Sequence, residues 1–103
     1  MINGKTKSGF EFSVDERKLN SKRFAMILAK LTKYSQAGGE SGMLANAAEN
    51  EMEEFLLGQE QQEALVAHCD EKAGGYASIE DVTAEVSEII AACEQKSVAV
   101  KNS

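Results

Sequence analysis

The sequence INGKTKSGFEFSV, residues 2–14, separates this chain from an all-helical protein. Apolar or small residues alternate with polar ones on both sides of a short connection at residues 7–9, and this period of two is typical of a β-hairpin. Gly9 can adopt the positive φ that such a turn requires. An isolated hairpin is only marginally stable in water, so we expect its apolar side chains to pack against a helix or against the sheet of another chain. Those side chains are Ile2, Phe10, Phe12 and Val14.

The remainder of the chain has helical periodicity. It predicts four helices, at about 21–36, 43–57, 59–72 and 79–95. Asn20 or Ser21 is the expected N-cap of the first helix, and Ser78 begins a capping box with Asp81 at the start of the fourth. Gly58 is the expected end of the second helix. The sequence therefore predicts an α+β fold that is predominantly helical, with residues 1–96 as one domain and residues 97–103 as a flexible tail.

The spacing of apolar residues predicts which helix faces point inward. The expected inward residues are Phe24, Ile27, Leu28, Leu31 and Tyr34 in the first helix, and Met43, Leu44, Ala47, Ala48, Met52, Phe55 and Leu56 in the second. In the third and fourth they are Ala64, Leu65, His68, Cys69, Ile79, Val82, Val86, Ile89, Ile90 and Cys93. Glu49, Glu53, Glu80, Glu85 and Glu88 are expected on the solvated outer faces. Residues 36–42 contain three glycines and are expected to form a flexible connector.

The charge of the chain is divided between its two parts. Residues 1–36 carry eight Lys and Arg against three acids, whereas residues 37–103 carry three Lys against fourteen acids. An acidic majority repels phosphate backbones and anionic lipids, so nucleic acids and membranes are not expected partners. The opposite charges of the two parts favour contact with proteins, including other copies of this chain. The two parts attract each other within one molecule or between copies, and a homo-oligomer is expected.

The sequence offers little that indicates catalysis or a bound cofactor. His68, Cys69, Asp70 and Cys93 lack the short paired spacing of a structural zinc site, and no cofactor or metal is predicted. His68 and Cys69 are adjacent on a helix and point about 100° apart, which prevents productive contact between a nucleophile and its base. We expect a protein that is not an enzyme. The two cysteines are expected to be buried, reduced thiols of a cytoplasmic protein, since no signal peptide or membrane helix is recognisable.

Three segments resemble one family. They are the opening GKTKSGFEF with Val14-Asp15-Glu16, the middle FLLGQEQQEAL at residues 55–65, and IEDVTAEV at residues 79–86. In the same order, they look like segments of the tail assembly chaperones of long-tailed bacteriophages and prophages of Gram-positive hosts. The Lys-rich first helix and the triple-glycine connector differ from the typical member.

The resemblance implies a small, acidic, non-enzymatic protein of the host bacterial cytoplasm that is absent from the mature virion. Such chaperones bind the long tape-measure protein, keep it soluble, and help to recruit tail-tube subunits around it. Capture of amphipathic helices in an apolar groove between helices, with adaptable methionines, would suit this role. The candidate partner-binding residues are Phe10, Phe12, Met26, Lys30, Lys33, Met43, Met52 and Leu57.

A second hypothesis fits the same composition. A small acidic regulator could imitate nucleic acid and bind a basic protein partner through a regular array of carboxylates. Salt separates the two hypotheses, because a complex formed by charge weakens steeply as salt rises, whereas a complex formed in an apolar groove responds little.

Overall fold

The computed structural model describes the backbone of residues 1–37 and 41–102, and the side chains of residues 1–36 and 42–95. An antiparallel hairpin of two strands precedes four helices, which confirms the predominantly helical α+β class. The elements are β1 (Ile2–Lys5), β2 (Glu11–Val14), a 3-10 turn (Glu16–Lys18), α1 (Lys22–Ala37), α2 (Ser41–Leu57), α3 (Gln59–Ala73) and α4 (Ile79–Asn102). Within the described residues, no helix is both long and apolar enough to cross a membrane.

The hairpin has the predicted inner face. Ile2 pairs with Val14 and Gly4 pairs with Phe12, and residues directly opposite each other share a face of the sheet. This face is buried, and Val14 is only 1 % exposed. Gly9 has a φ of 100°, a backbone conformation in which a residue with a side chain would be strained. The inner face packs into a core formed with α2, α3 and α4. This confirms the expectation that it lies against a helix.

Helices α1 and α2 form an antiparallel pair. The Phe24 and Phe55 rings stack with their centroids 6.3 Å apart, and Lys30 Nζ lies 3.1 Å from Glu51 Oε2, so residues further along α1 contact residues earlier in α2. Ser21 is the N-cap of α1, because its Oγ accepts a hydrogen bond of 3.1 Å from the Phe24 N–H. The pair thus places one side of α2 against α1 and leaves its other sides for the rest of the core.

Glycines set the ends of α2 and α3. Gly58 has a φ of 79° and donates its N–H to Glu54 O at 2.8 Å, which ends α2 where the sequence predicts. Gly74 adopts the left-handed conformation at the end of α3. The predicted capping box is also present, since Ser78 and Asp81 exchange hydrogen bonds of 3.1 Å between side chain and backbone N–H.

Several expectations about the helices are wrong. Helix α4 continues to Asn102, beyond its predicted end near residue 95, so residues 97–102 are helical. Six residues expected to face inward are exposed: Leu28, Met43, Leu44, Ala47, Ala64 and Ile79. Three of them lie in the N-terminal half of α2, where none of residues 42–47 is buried, because the core forms around its C-terminal half. Of the predicted connector, residues 38–40 lie outside the described residues, and Ser41 and Gly42 belong to α2.

Candidate functional site

An open cleft of about 260 Å³ lies between α2, α3 and the start of α4, and we call it the acidic cleft. Residues of α2 line one side at helical spacing, so they share a single face of that helix. Apolar side chains from α3 and α4 form the opposite side. The lining residues are Asn46, Glu49, Asn50, Glu53, Val66, Ala77, Ser78, Ile79 and Val82.

Glu53 is the least exposed acidic residue that lines the acidic cleft. It lies on the side of α2 that faces the core, and the residue is 7 % exposed. Its Oε1 accepts a hydrogen bond of 3.2 Å from Gln62 Nε2, which also donates to Asn50 Oδ1 at 2.7 Å. Burial raises the pKa of Glu53 because it penalises the charged form, and the nearby negative charge of Glu49 adds to this effect, whereas the bond from Gln62 opposes it.

The connection between α3 and α4 positions the apolar side of the cleft. Asp70 Oδ1 accepts a hydrogen bond of 2.8 Å from the Ala77 N–H, which fixes the chain just before the capping box of α4. Ile79 follows at once and remains 55 % exposed, and Val66 of α3 is 37 % exposed. The cleft therefore combines accessible apolar groups with a buried carboxylate, which is an environment suited to an amphipathic ligand.

The raised pKa of Glu53 predicts a dependence of stability on pH. Between the ordinary pKa of 4.5 and the raised value, the folded chain binds more protons than the unfolded chain, so the free energy of unfolding falls as pH rises through this window. Glu53→Gln removes this ionisation while keeping the shape of the side chain. The stability of the variant relative to the wild type is therefore expected to be more favourable at pH 7 than at pH 4, as measured by thermal unfolding.

The exposed carboxylate of the adjacent Glu54 provides the control for that measurement. Glu54→Gln changes the net charge of the chain equally, so it corrects for the general effect of one acid fewer. The assignment of Glu53 as a buried carboxylate would be wrong if the two variants differed from the wild type by the same amount at every pH.

A second group of polar residues lies beneath the turn of the hairpin. Ser8 Oγ donates a hydrogen bond of 2.5 Å to Glu85 Oε1 and lies 2.9 Å from His68 Nε2. A hydroxyl has one hydrogen, which Ser8 gives to Glu85, so the imidazole N–H is the donor to Ser8. The Lys7 N–H also donates to Glu88 Oε1 at 2.7 Å. These bonds attach the turn to α3 and α4, which corrects the expectation that Glu85 and Glu88 are merely solvated.

Cys69 lies beside this group, in a cavity of about 370 Å³ that His68 and Lys72 also line. Burial raises the pKa of the Cys69 thiol, and the negative charge of Glu85 raises it further. The neutral thiol is therefore favoured over the reactive thiolate. Both cysteine side chains are buried thiols, as the sequence predicts. Across the described residues, no three His, Cys, Asp or Glu side chains are grouped as metal ligands.

The structure divides the predicted partner-binding residues into two sets. Met26, Lys30, Lys33 and Met43 are exposed, and Met43 is 81 % exposed. Phe10, Phe12, Met52 and Leu57 are buried in the core. The second set is therefore inaccessible to a partner in this structure, because the hairpin and α2 use these side chains to pack against each other and against α3 and α4.

The hairpin edge is also less open than the sequence suggests. Gln61 of α3 accepts a hydrogen bond from the Ser13 N–H at 2.7 Å and donates to the Ser13 carbonyl oxygen at 3.0 Å. The side-chain amide thus takes the place that the backbone of another strand would occupy at this position. Pairing of β2 with a second chain would have to displace Gln61.

Sequence reasoning missed the acidic cleft because it placed Glu53 on the outer face of α2. A usable signal was present. Leu56 and Leu57 point in directions about 100° apart, so a helix that buries both has a wide buried arc. Glu53 precedes Leu57 by four residues and lies within that arc.

The chain matches no protein-family model, no curated protein and no solved structure.

Proposed function

We propose that this chain is a non-enzymatic tail assembly chaperone of a long-tailed bacteriophage or prophage. It binds the tape-measure protein in the host cytoplasm, keeps it soluble, and helps to recruit tail-tube subunits. The proposal draws on the resemblance of three sequence segments to this family. The structural observation that supports it best is the acidic cleft, an open depression with apolar and charged sides.

The cleft has the features required to hold an amphipathic helix. Val66 and Ile79 present apolar surface to solvent, which is typical of sites that bind another polypeptide when such groups line a common depression. Met43 lies one turn before Asn46 on the same face of α2, just beyond the residues that line the cleft, and it is 81 % exposed. A flexible methionine at this position can adjust to different client side chains.

Reversible binding of this kind agrees with the surface charge of the chain. Acidic residues predominate from residue 37 onward, and like charges keep free copies of the protein from aggregating through their apolar groups. The basic residues of α1 would allow an ordered homo-oligomer, in which α1 of one copy approaches the acidic part of the next. Contacts among several copies would let the chaperone cover a long client.

Co-expression with the tape-measure gene of the same genome tests the proposal. The gene is recognisable as a very long coiled-coil reading frame near this one. We expect a soluble complex on co-expression and precipitation of the tape-measure protein when it is expressed alone. Ile79→Glu combined with Met43→Glu should reduce the recovered complex severalfold, because the changes place charge on an apolar group of the cleft and on the exposed methionine just beyond it.

Ala25→Glu combined with Ala29→Glu is the matched control, since both are exposed residues of α1 that do not line the cleft. It should leave the recovery of the complex unchanged. The proposal is wrong if co-expression does not alter the solubility of the tape-measure protein. If a complex forms but its affinity falls by orders of magnitude between low and moderate salt, the result would instead support an acidic regulator that imitates nucleic acid.

A further inference from the structure

We propose that the acidic cleft selects a helix that carries a Lys or Arg within its apolar face, and that Glu53 pairs with this cation. The inference rests on the proposed function and names the chemistry of the client segment. The cleft places a carboxylate that is 7 % exposed beside the apolar side chains of Val66, Ile79 and Val82. A ligand that fills it must therefore present apolar groups and positive charge on the same side.

Among the described residues, no ion pair neutralises the charges of the cleft. The ion pairs among the described residues are Met1 with Glu16, Arg17 with Asp15, and Lys30 with Glu51. None involves Glu49 or Glu53, which are four residues apart on α2 and repel each other. In the part of the chain that the structure describes, the Glu53 carboxylate has one hydrogen-bond donor, the neutral amide of Gln62. A neutral amide compensates a buried carboxylate less well than a cation does.

The geometry also favours a long side chain on a helix over a free cation. Apolar groups line the side of the cleft opposite Glu53, and the aliphatic stem of a Lys or Arg can pack against them while its charged end reaches the carboxylate. The remaining apolar residues of the same helix would cover Val66 and Ile79. Charge complementarity thus comes with burial of apolar area, and the two together distinguish this client from a merely basic peptide.

A pair of synthetic peptides of identical composition tests the inference. Each is an 18-residue, alanine-based helix with a single lysine. Its leucines are spaced i, i+3, i+4 and i+7, so that they form one face of the helix. In the first peptide the lysine lies within the leucine face, and in the second it lies on the opposite face. Because net charge is equal, general attraction to the acidic chain is the same for both. We expect the first to bind the wild-type protein about tenfold more tightly or more, by fluorescence anisotropy of labelled peptide.

Two variants assign this preference to Glu53. Glu53→Gln should bind the two peptides with affinities within about twofold, whereas Glu54→Gln, which alters an exposed carboxylate of the same helix, should keep the full preference. Methyl resonances of Val66, Ile79 and Val82 should shift when the first peptide binds. Circular dichroism and thermal unfolding of both variants establish that each is folded before the comparison.

Three results would overturn the inference. Equal binding of the two peptides to the wild type would do so without reference to any variant. An undiminished preference in Glu53→Gln would place the cation elsewhere. Self-association of the wild type that Glu53→Gln abolishes would show that a second copy occupies the cleft. These outcomes are independent of the co-expression experiment, since the peptides report what the cleft selects and co-expression reports whether a tape-measure protein is the client.

Discussion

Replacing Leu65 with alanine is expected to lower the free energy of unfolding by about 2–5 kcal/mol. Leu65 lies in the middle of α3 and is 0 % exposed, within the core that joins the hairpin to the helices. The substitution removes buried methyl groups and leaves a cavity that close-packed neighbours fill only in part. For a chain of 103 residues this corresponds to a decrease of roughly 10 °C or more in Tm, measured by circular dichroism.

Val66→Ala is the control, because Val66 is the next residue along α3 and is 37 % exposed. It also shortens an aliphatic side chain in the same helix, but part of that side chain is already in contact with water. We expect a loss of less than about 1 kcal/mol. Similar losses for the two variants would contradict the packing of α3 described above.

Replacing Phe12 with alanine is expected to cost about 3–5 kcal/mol. The sequence analysis placed Phe12 both among the packed side chains of the hairpin and among the candidate partner-binding residues. The structure places its ring at 4 % exposure on the inner face of β2. A native stability of about 5–15 kcal/mol is usual for a domain, so this single change would remove a large share of it. Urea denaturation of both proteins measures the difference.

Glu11→Ala provides the comparison for Phe12→Ala within the same strand. Glu11 is exposed and lies opposite Lys5 on the outer face of the hairpin, where a pair of opposite charges contributes little. We expect a change within about 0.5 kcal/mol. If Phe12→Ala were as mild as Glu11→Ala, the hairpin would not be part of the core in solution.

The elements that were predictable from the sequence are those with strong local signals. The period of two around Gly9 gave the hairpin and its inner face, and Gly58 and the Ser78 capping box gave helix boundaries. In each case the cause lies within a few residues, in turn geometry, capping or side-chain spacing. The end of α4 was missed because residues 97–102 have no clear apolar period, yet the helix continues through them.

The acidic cleft depends on how separate helices are arranged, which local spacing does not reveal. A helix that packs on one neighbour has one inner face, and α2 was interpreted in that way. In the structure it contacts α1, α3 and β2, so its buried arc is wide enough to include Glu53. Conversely, Met43 and Leu44 have suitable spacing for a core but extend beyond the region where the elements meet. The burial of Glu53 and the exposure of Met43 therefore have the same cause, which is the arrangement of the other elements around α2.

The bonds that attach the hairpin turn to α4 have a consequence for protein synthesis. Ser8 and Glu85 are 77 residues apart in sequence, and Lys7 and Glu88 are 81 apart. The ribosome completes both strands long before it adds the helix that covers them, whereas α1 and α2 are close enough in sequence to associate early. A nascent chain therefore carries a hairpin that is only partly covered until translation is almost finished. Products of premature termination before α4 would leave part of the apolar inner face of the hairpin exposed to solvent. Such products would be natural targets for proteolysis.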